Sequence, residues 1–235
     1  MTIRNKAAKA MEVPSPPLPT NLNPRDRVVN HVIRGLYDGR FEPGQRLVES
    51  QLAEDCGVSR GPIREALNRL AVMGIIDLIP QRGAQIHILT IQQAIDNLTV
   101  AQTLVGIAAR LAAERCHASK QGAQRLKDAL AGIVRFDETS KTAGYAVARD
   151  SFYAALVSLA HNAPLSRVLT QVDIHLVRVQ FRSILRSFDR RRHRDYIDIA
   201  ESVLAGNASH AEKAARAHLG RSITALQTML DKEAQ

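Results

Sequence analysis

The stretch GVSRGPIREALNRLAVMG, residues 57–74, decides the fold of the N-terminal part of the chain. Ile63, Ala66, Leu67 and Leu70 recur at helical spacing and form one apolar face on a helix running from Arg60 to Met73. Arg60, Arg64 and Asn68 follow at i, i+4 and i+8, so they share a neighbouring polar face. Ser59 stands at the N-cap, where a hydroxyl satisfies orphan N–H groups and the helix end favours a phosphate. Pro62 falls in the first turn, where proline is tolerated. Such a helix can put its N-terminal end into a major groove, with arginines reaching guanine edges or phosphates.

Working outward, Asn23-Pro24 supplies an N-cap followed by proline at the first helical position, and Val28, Val32, Ile33 and Leu36 give an apolar stripe that ends before Gly39. FEPGQRL reads as a turn and ESQLAEDC as a second short helix. After Gly74 the pattern changes. IIDLI and AQIHI flank Pro80-Gln81-Arg82-Gly83, and the alternation of Ile86 and Ile88 with Gln85 and His87 has a strand period, so a hairpin is expected. Three helices and a hairpin within residues 23–89 predict a winged helix-turn-helix. Arg82 and Gly83 sit at the wing tip, where a long cation beside a residue without a side chain suits close approach to the DNA backbone and minor groove.

Residues 1–22 carry Pro14, Pro16, Pro17 and Pro19 without helical or strand periodicity and read as a flexible, extended tail. The opening residues have cations but no apolar run behind them, so no secretory leader is expected. From Thr90 to Gln235 the strand period disappears. Alanine-rich amphipathic stretches over 91–118, 121–138, 142–161, 165–187, 191–205 and 210–231 predict an all-α bundle of six or seven helices. Thr90 with Gln93, and Ser209 with Glu212, have capping-box spacing. The fold class is therefore mainly α.

Composition sets the outer limits. The 235 residues are 45% hydrophobic and 23% charged, as in a globular protein of one large or two ordinary domains. No apolar run reaches the ~20 residues of a membrane span. Cys56 and Cys116 lack metal-ligand spacing, which fits a reducing cytoplasm without a disulfide scaffold. The net charge of +9 favours a polyanionic partner. Residues 24–89 nevertheless hold nine cations against eight anions, so the placement of individual arginines carries the DNA-binding case.

Pro43-Gly44, Leu47, Glu49, Leu52-Ala53, the GVSRGPIREALNRL run, Gly74, Pro80 and Arg82-Gly83 together resemble the N-terminal domain of the GntR family of bacterial transcription regulators. The match covers residues 24–89 almost continuously, with Ile63 where the family motif usually has Val. The helical remainder is similar to the FadR subfamily, whose C-terminal FCD domain binds a small effector and dimerises. The resemblance implies DNA contacts at Ser50, Ser59, Arg60, Arg64, Arg82 and Gly83; Gly61 and Asn68 join them from the recognition helix.

FCD domains resembling this one commonly hold a metal through one Asp and three His. Here Arg149 stands at the Asp position and Tyr153 and Tyr196 stand at two His positions, leaving only His218. Neutral phenols are poor ligands and one imidazole is too few, so no FCD-type metal site and no cofactor are expected. A one-residue slip would instead put Asp150 at the metal position.

The residues themselves offer another role. Arg149, Tyr153, Leu156 and Ala160 share a mainly apolar stripe, Tyr196, Ile199, Ala200 and Val203 form a second, and His218 lies among small residues. A buried guanidinium needs an anion. A carboxylate effector gripped by Arg149 and bonded by Tyr153, Tyr196 and His218 would supply one; pairing of Arg149 with Asp150, leaving two core tyrosines and a core histidine, would supply another. Arg178, Arg182 and Arg186, continuing into Arg190, Arg191, Arg192 and Arg194, read by default as a solvated helix face, with contact to DNA flanks or to an anionic ligand as the alternative. His161, His175 and His193 show no mutual ligand spacing.

These readings lead to a cytoplasmic, homodimeric, sequence-specific regulator, a repressor released from a palindromic operator by a small carboxylate. The alternative is a dimeric architectural DNA-binding protein without an effector. No enzyme is expected: Ser151 beside Asp150 and Cys116 beside His117 are adjacent helical residues that point apart.

Overall fold

The computed structural model describes residues 22–136, 143–172, 174–187 and 192–233. The tail expected over residues 1–22 lies, apart from residue 22, outside the described residues. Helix α1, Pro24–Asp38, starts as the sequence predicts: the Asn23 side chain accepts the Asp26 N–H, and Pro24 occupies the first turn. Helices α2 (Glu49–Cys56) and α3 (Arg60–Val72) are joined by a turn in which Gly57 takes a left-handed φ of 61°. That conformation is cheap for glycine and strained for other residues. Val28, Val32, Leu36, Ile63, Ala66 and Leu70 are all buried and lock α1 to α3.

The wing is larger than expected. Strands β1 (Arg46–Leu47), β2 (Ile76–Ile79) and β3 (Gly83–Ile86) form an antiparallel sheet in the order β1-β3-β2. FEPGQRL, read as a turn, therefore contributes an edge strand that sets Arg46 opposite Gln85. The Gly44 N–H donates to the Ile86 carbonyl, and the Ile86 N–H donates to the Gln45 carbonyl. Two residues are too few for alternation to reveal a strand.

The second half is helical: α4 (Ile91–Arg115), a 3₁₀ turn (Cys116–Ala118), α5 (Lys120–Val134), α6 (Ala143–Leu159), α7 (Ala163–Leu169), α8 (Ile174–Gln180), α9 (Arg182–Ser187), α10 (Arg192–Leu204) and α11 (Ala208–Glu233). Thr90 and Gln93 form the predicted capping box of α4. The helix expected over 165–187 is three segments. The Asn162 side chain caps α7, and the Thr170 hydroxyl turns back to the Arg167 carbonyl, so the chain bends before α8. At the other end α11 begins earlier than expected: Asn207, not Ser209, is the cap, accepting the His210 N–H.

Alanine faces hold the bundle together. Ala101, Val105, Ala108 and Ala112 of α4 are buried, as are Ala211, Ala215, Leu219 and Leu226 of α11, and these two helices make the most extensive contact in the chain. The core is continuous with that of the winged domain through Leu89, Ile91 and Ile95. Gln180 clamps the junction, accepting the Leu89 N–H and donating to the His87 carbonyl. Helix α1 packs on α6 and α8. Among the described residues no helix is long and apolar enough to cross a membrane.

The α1–α3 interface should govern the stability of the winged domain. Leu70 is fully buried, so Leu70→Ala should destabilise the protein by about 2–5 kcal/mol in chemical denaturation. Val72, two residues on, is 68% exposed, and Val72→Ala should change stability by less than about 0.5 kcal/mol.

Candidate DNA-reading face and effector cavity

Helix α3 presents its two faces as its spacing implies. Ile63, Ala66, Leu67 and Leu70 are buried, while Arg60, Gly61, Arg64 and Asn68 are exposed, as are Ser50 and Ser59 nearby. Arg64 is anchored only loosely, its Nε 3.6 Å from Glu49, and it remains free to reach outward. Arg69 ties α3 to the start of α1 through Asp26 at 2.8 Å.

Ser59 occupies the N-cap but makes no cap hydrogen bond, contrary to expectation. The residue three positions on is Pro62, which has no N–H for the hydroxyl to accept. The Ser59 hydroxyl is consequently left for an outside partner. Beside Gly61, where a side chain would meet open space, the helix end is also accessible to a backbone phosphate.

At the wing tip the Arg82 N–H donates to the Ile79 carbonyl, and Gln81 adopts a φ of 62° behind Pro80, which is a type II turn. Gly83 follows with φ 85°, and its missing side chain leaves room beside the Arg46 guanidinium, about 3.9 Å from where a Cβ would stand. Arg82 and Gly83 are exposed as expected. Arg46 joins them as a cation that sequence reasoning missed, because it depends on the unforeseen β1.

The helical domain holds a cavity of about 520 Å³ at its boundary with the winged domain. Its walls are mainly apolar and include Val105, Val157, Leu169, Val172, Ile174 and Leu219, with Met73 entering from the end of α3. The polar lining comprises Asp150, Tyr153, His175 and Arg178 with the hydroxyls of Ser158, Ser166 and Thr170.

The four residues expected to grip an effector do not all face this space. Tyr153 does. Arg149 turns away: its Nη2 donates to the Tyr37 hydroxyl of α1 at 2.9 Å, its guanidinium covers the Tyr37 ring, and its Nε lies 3.7 Å from Asp150. The ion pair with Asp150 is the other role the sequence allowed. Tyr196 and His218 lie behind Tyr153 as core aromatics, their ring centroids 4.9 Å apart. His218 Nδ1 is held at 3.0 Å by Asp195, which also pairs with Arg221. Despite burial, these two partners keep the Asp195 carboxyl below its ordinary range.

The cavity's cation is instead Arg178, from the run whose default reading was a solvated face. Its Nη1 donates to Asp150 at 3.2 Å and its guanidinium sits over the Tyr153 ring. Arg182, from the same run, donates to the Tyr37 carbonyl at 2.9 Å. The side chains of Arg186 and Arg192, and residues 190 and 191, lie outside the described residues. His175, which shows no ligand spacing to the other histidines, is engaged as well: its Nδ1 is 2.9 Å from the Tyr37 hydroxyl and 3.9 Å from Asp150. His175, Arg178 and Arg182 stand at i, i+3 and i+7, the spacing of one helix face, which was the available signal.

Electrostatics orders the cluster. Burial opposes a charge on Arg149, but the Tyr37 phenol and Asp150 outweigh it and raise its pKa, so it stays cationic. Burial pushes the Tyr37, Tyr153 and Tyr196 hydroxyls up, leaving neutral phenols at physiological pH. The Tyr37 oxygen accepts from Arg149, and its own proton is free to go to a neutral His175 at Nδ1, 2.9 Å away. Burial lowers the His175 pKa; Asp150 opposes this, and Arg178 and Arg149 add to it. The Tyr153 hydroxyl is buried, and Tyr196, whose ring centroid lies 6.1 Å from that of Tyr153, acts on it as a hydrogen-bonding group.

The residues at the FCD ligand positions do not fit a divalent metal. Arg149 is a cation, Tyr153 and Tyr196 are neutral, and Asp195 already engages His218. Asp150 is shared among Arg149, Arg178 and His175. No group of three or more His, Cys, Asp or Glu able to hold a metal ion occurs among the described residues.

A winged helix-turn-helix with an exposed arginine-bearing reading helix, joined to a helical domain with a cavity, defines a DNA-binding regulator. Residues 24–86 match the bacterial regulatory proteins of the gntR family, and residues 96–221 match the FCD domain. The chain belongs to the GntR family of transcription regulators, in the branch that carries an FCD domain. FadR-subfamily membership is consistent with that domain. Family and relatives are transcription regulators and not enzymes.

Among the similar curated proteins is one described as "Probable D-xylose utilization operon transcriptional repressor" from Paenarthrobacter nicotinovorans, 25% identical over 82% of this chain and 84% of its own length. The regulator LutR of Bacillus subtilis is 27% identical over 78% of this chain and 92% of its own. Among solved structures, E. coli McbR/YncC superposes with a TM-score of 0.74 at 19% identity, covering 89% of this chain and all of that one, a likeness of fold.

The depressed His175 pKa fixes the sign of a pH effect. The unfolded imidazole takes its proton near pH 6.5 and the folded one only below that, so this contribution to stability is complete above about 6.5 and is lost as the pH falls. The melting temperature should therefore drop between pH 7 and 5.5, and His175→Gln should make that drop shallower. An unchanged slope would assign the effect to His31, whose pKa burial also lowers.

Proposed function

We propose that two copies of the chain bind a palindromic operator as a repressor in the cytoplasm, and that a small organic monocarboxylate entering the cavity beside Arg178 releases them. The observation that carries the effector reading is the charge of the buried cluster. Among the described residues Arg149 and Arg178 share a single carboxylate, Asp150, so one cation is in excess there beside a mainly apolar cavity. An added carboxylate balances it and can take bidentate bonds from Arg178. The Tyr153 hydroxyl, on the cavity wall, supplies a further donor, and the apolar walls suit a hydrocarbon body. No metal takes part in this reading.

On the DNA side, Arg60, Arg64 and Asn68 read base edges from α3 while Gly61 keeps the helix end close to the groove. Ser50, Ser59, Arg82, Gly83 and Arg46 contact the backbone and minor groove, setting affinity and register. Two-fold symmetry in the protein then matches two half-sites in the DNA. The repressor descriptions carried by the D-xylose operon relative and by RspR of Escherichia coli support repression as the sign of control.

Two measurements test this. With an operator selected from a random duplex pool, Arg64→Ala should weaken binding by about 1–3 kcal/mol and relax base preference at one position, whereas Arg82→Ala should weaken all sequences alike and reduce the salt slope by about one. Unchanged affinity in Arg64→Ala contradicts the reading-helix assignment. Thermal melts should then be run against aliphatic and aromatic monocarboxylates, with zinc and nickel in parallel. A carboxylate at about 100 times its dissociation constant should add ~2.7 kcal/mol and raise the midpoint by several degrees, an increase that Arg178→Met should abolish. A shift with metal alone overturns the effector reading.

A further inference from the structure

Tyr37 closes the last turn of α1, in the winged domain, yet among the described residues the partners of its hydroxyl and its carbonyl belong to the helical domain. Arg149 donates to its hydroxyl, the hydroxyl faces His175 Nδ1, and Arg182 donates to its carbonyl. The ring is buried against Ala146 of α6 with Ile33 and Val179 alongside. Asp150 then links this assembly to the cavity: its Oδ1 lies 3.7 Å from Arg149 Nε and 3.2 Å from Arg178 Nη1, and its Oδ2 lies 3.9 Å from His175. Asp150, His175 and Arg178 all line the cavity, so the side chains that hold α1 also meet whatever occupies it.

We propose that Tyr37 is the contact through which the cavity acts on the winged domain: a carboxylate that takes Arg178 frees Asp150, and Asp150 draws Arg149 and His175 away from the Tyr37 hydroxyl, loosening α1 from α6 and α8. This deepens the effector reading and rests on it. The driving force is charge balance in a poorly hydrated site. Among the described residues Asp150 alone serves the guanidinium groups of Arg149 and Arg178. Once a second carboxylate binds Arg178, Asp150 is left to Arg149, and their separation of 3.7 Å leaves room to tighten into a direct hydrogen bond. Arg149 can tighten on Asp150 only by moving its guanidinium relative to the phenol it now covers. Helix α1 packs directly on α3, so loosening α1 changes how the reading helix is presented.

The test uses the full chain without ligand, because Arg178→Met removes the same bond to Asp150 that a carboxylate would. Hydrogen exchange should be followed on peptides spanning α1, with peptides from α4 and α11 as internal controls. Tyr37→Phe keeps the ring and removes the hydroxyl, and it should speed exchange in the last turn of α1 by about tenfold, the worth of a hydrogen bond to a charged group. Arg178→Met should do the same without changing α4 or α11. Arg178→Lys, which keeps a charge beside Asp150, should stay within about twofold of the parent.

The double variant Tyr37→Phe/Arg178→Met should exchange no faster than the faster single variant. Multiplying effects in the double variant, or unaltered α1 exchange in Arg178→Met, overturns the proposal. The two readings fail separately. If benzoate and the other carboxylates leave the melting temperature unmoved while the double variant is non-additive, the link from Arg178 to α1 holds and the carboxylate is wrong. If a carboxylate raises the melting temperature while Arg178→Met leaves α1 unaffected, the effector stands and the link falls.

Discussion

Among the described residues one carboxylate, Asp150, serves two guanidinium groups at the boundary of the two domains, and the proposed coupling rests on that shortage. Asp150 cannot fully satisfy Arg149 and Arg178 together. The first is completed by a tyrosine of the winged domain and the second faces a cavity. A buried charge that lacks a partner costs several kcal/mol, so each arginine draws in whatever polar group is near. For Arg149 that group is the Tyr37 hydroxyl, which makes α1 an element of the helical domain's electrostatics as well as of the winged domain's core.

The DNA-reading half works by a different economy. Its arginines are exposed, and burial of Ile63, Leu67 and Leu70 beneath them fixes which way they point. Pro62 contributes twice: it is tolerated in the first turn, and by lacking an N–H it leaves the Ser59 hydroxyl unengaged on the outer face. Met73, where this helix ends, is also a wall of the cavity. The reading helix and the cavity therefore touch at one end while α1 bridges them at the other, and a change in either contact can alter the presentation of Arg60 and Arg64.

The winged domain was legible because its determinants are local. A run of fourteen residues carries the α3 face, its cap position and its proline, and the wing is a hairpin with its turn residues in place. What escaped was non-local or too short. β1 exists only because β3 pairs with it. The division of 165–187 depends on the caps at Asn162 and Thr170, which a periodicity count passes over. The helical-domain site was half legible. Tyr153 and a buried arginine at residue 149 follow from helical spacing, but the direction of Arg149 is set by a residue 112 positions away. Arg178 and His175 carried a signal, since with Arg182 they mark one helix face, yet a run of arginines reads by default as solvated. Their partner is a single acid on another helix, and only the fold brings it there.

The most direct test is operator binding by fluorescence anisotropy, comparing the parent chain with Tyr37→Phe, each with and without the carboxylate that most raises the parent's melting temperature. The account predicts that the carboxylate weakens the parent's affinity at least about tenfold, a difference of ~1.4 kcal/mol, while Tyr37→Phe starts near the weakened value and responds by less than about threefold. A variant that binds as tightly as the unliganded parent and releases DNA to the same extent would contradict it.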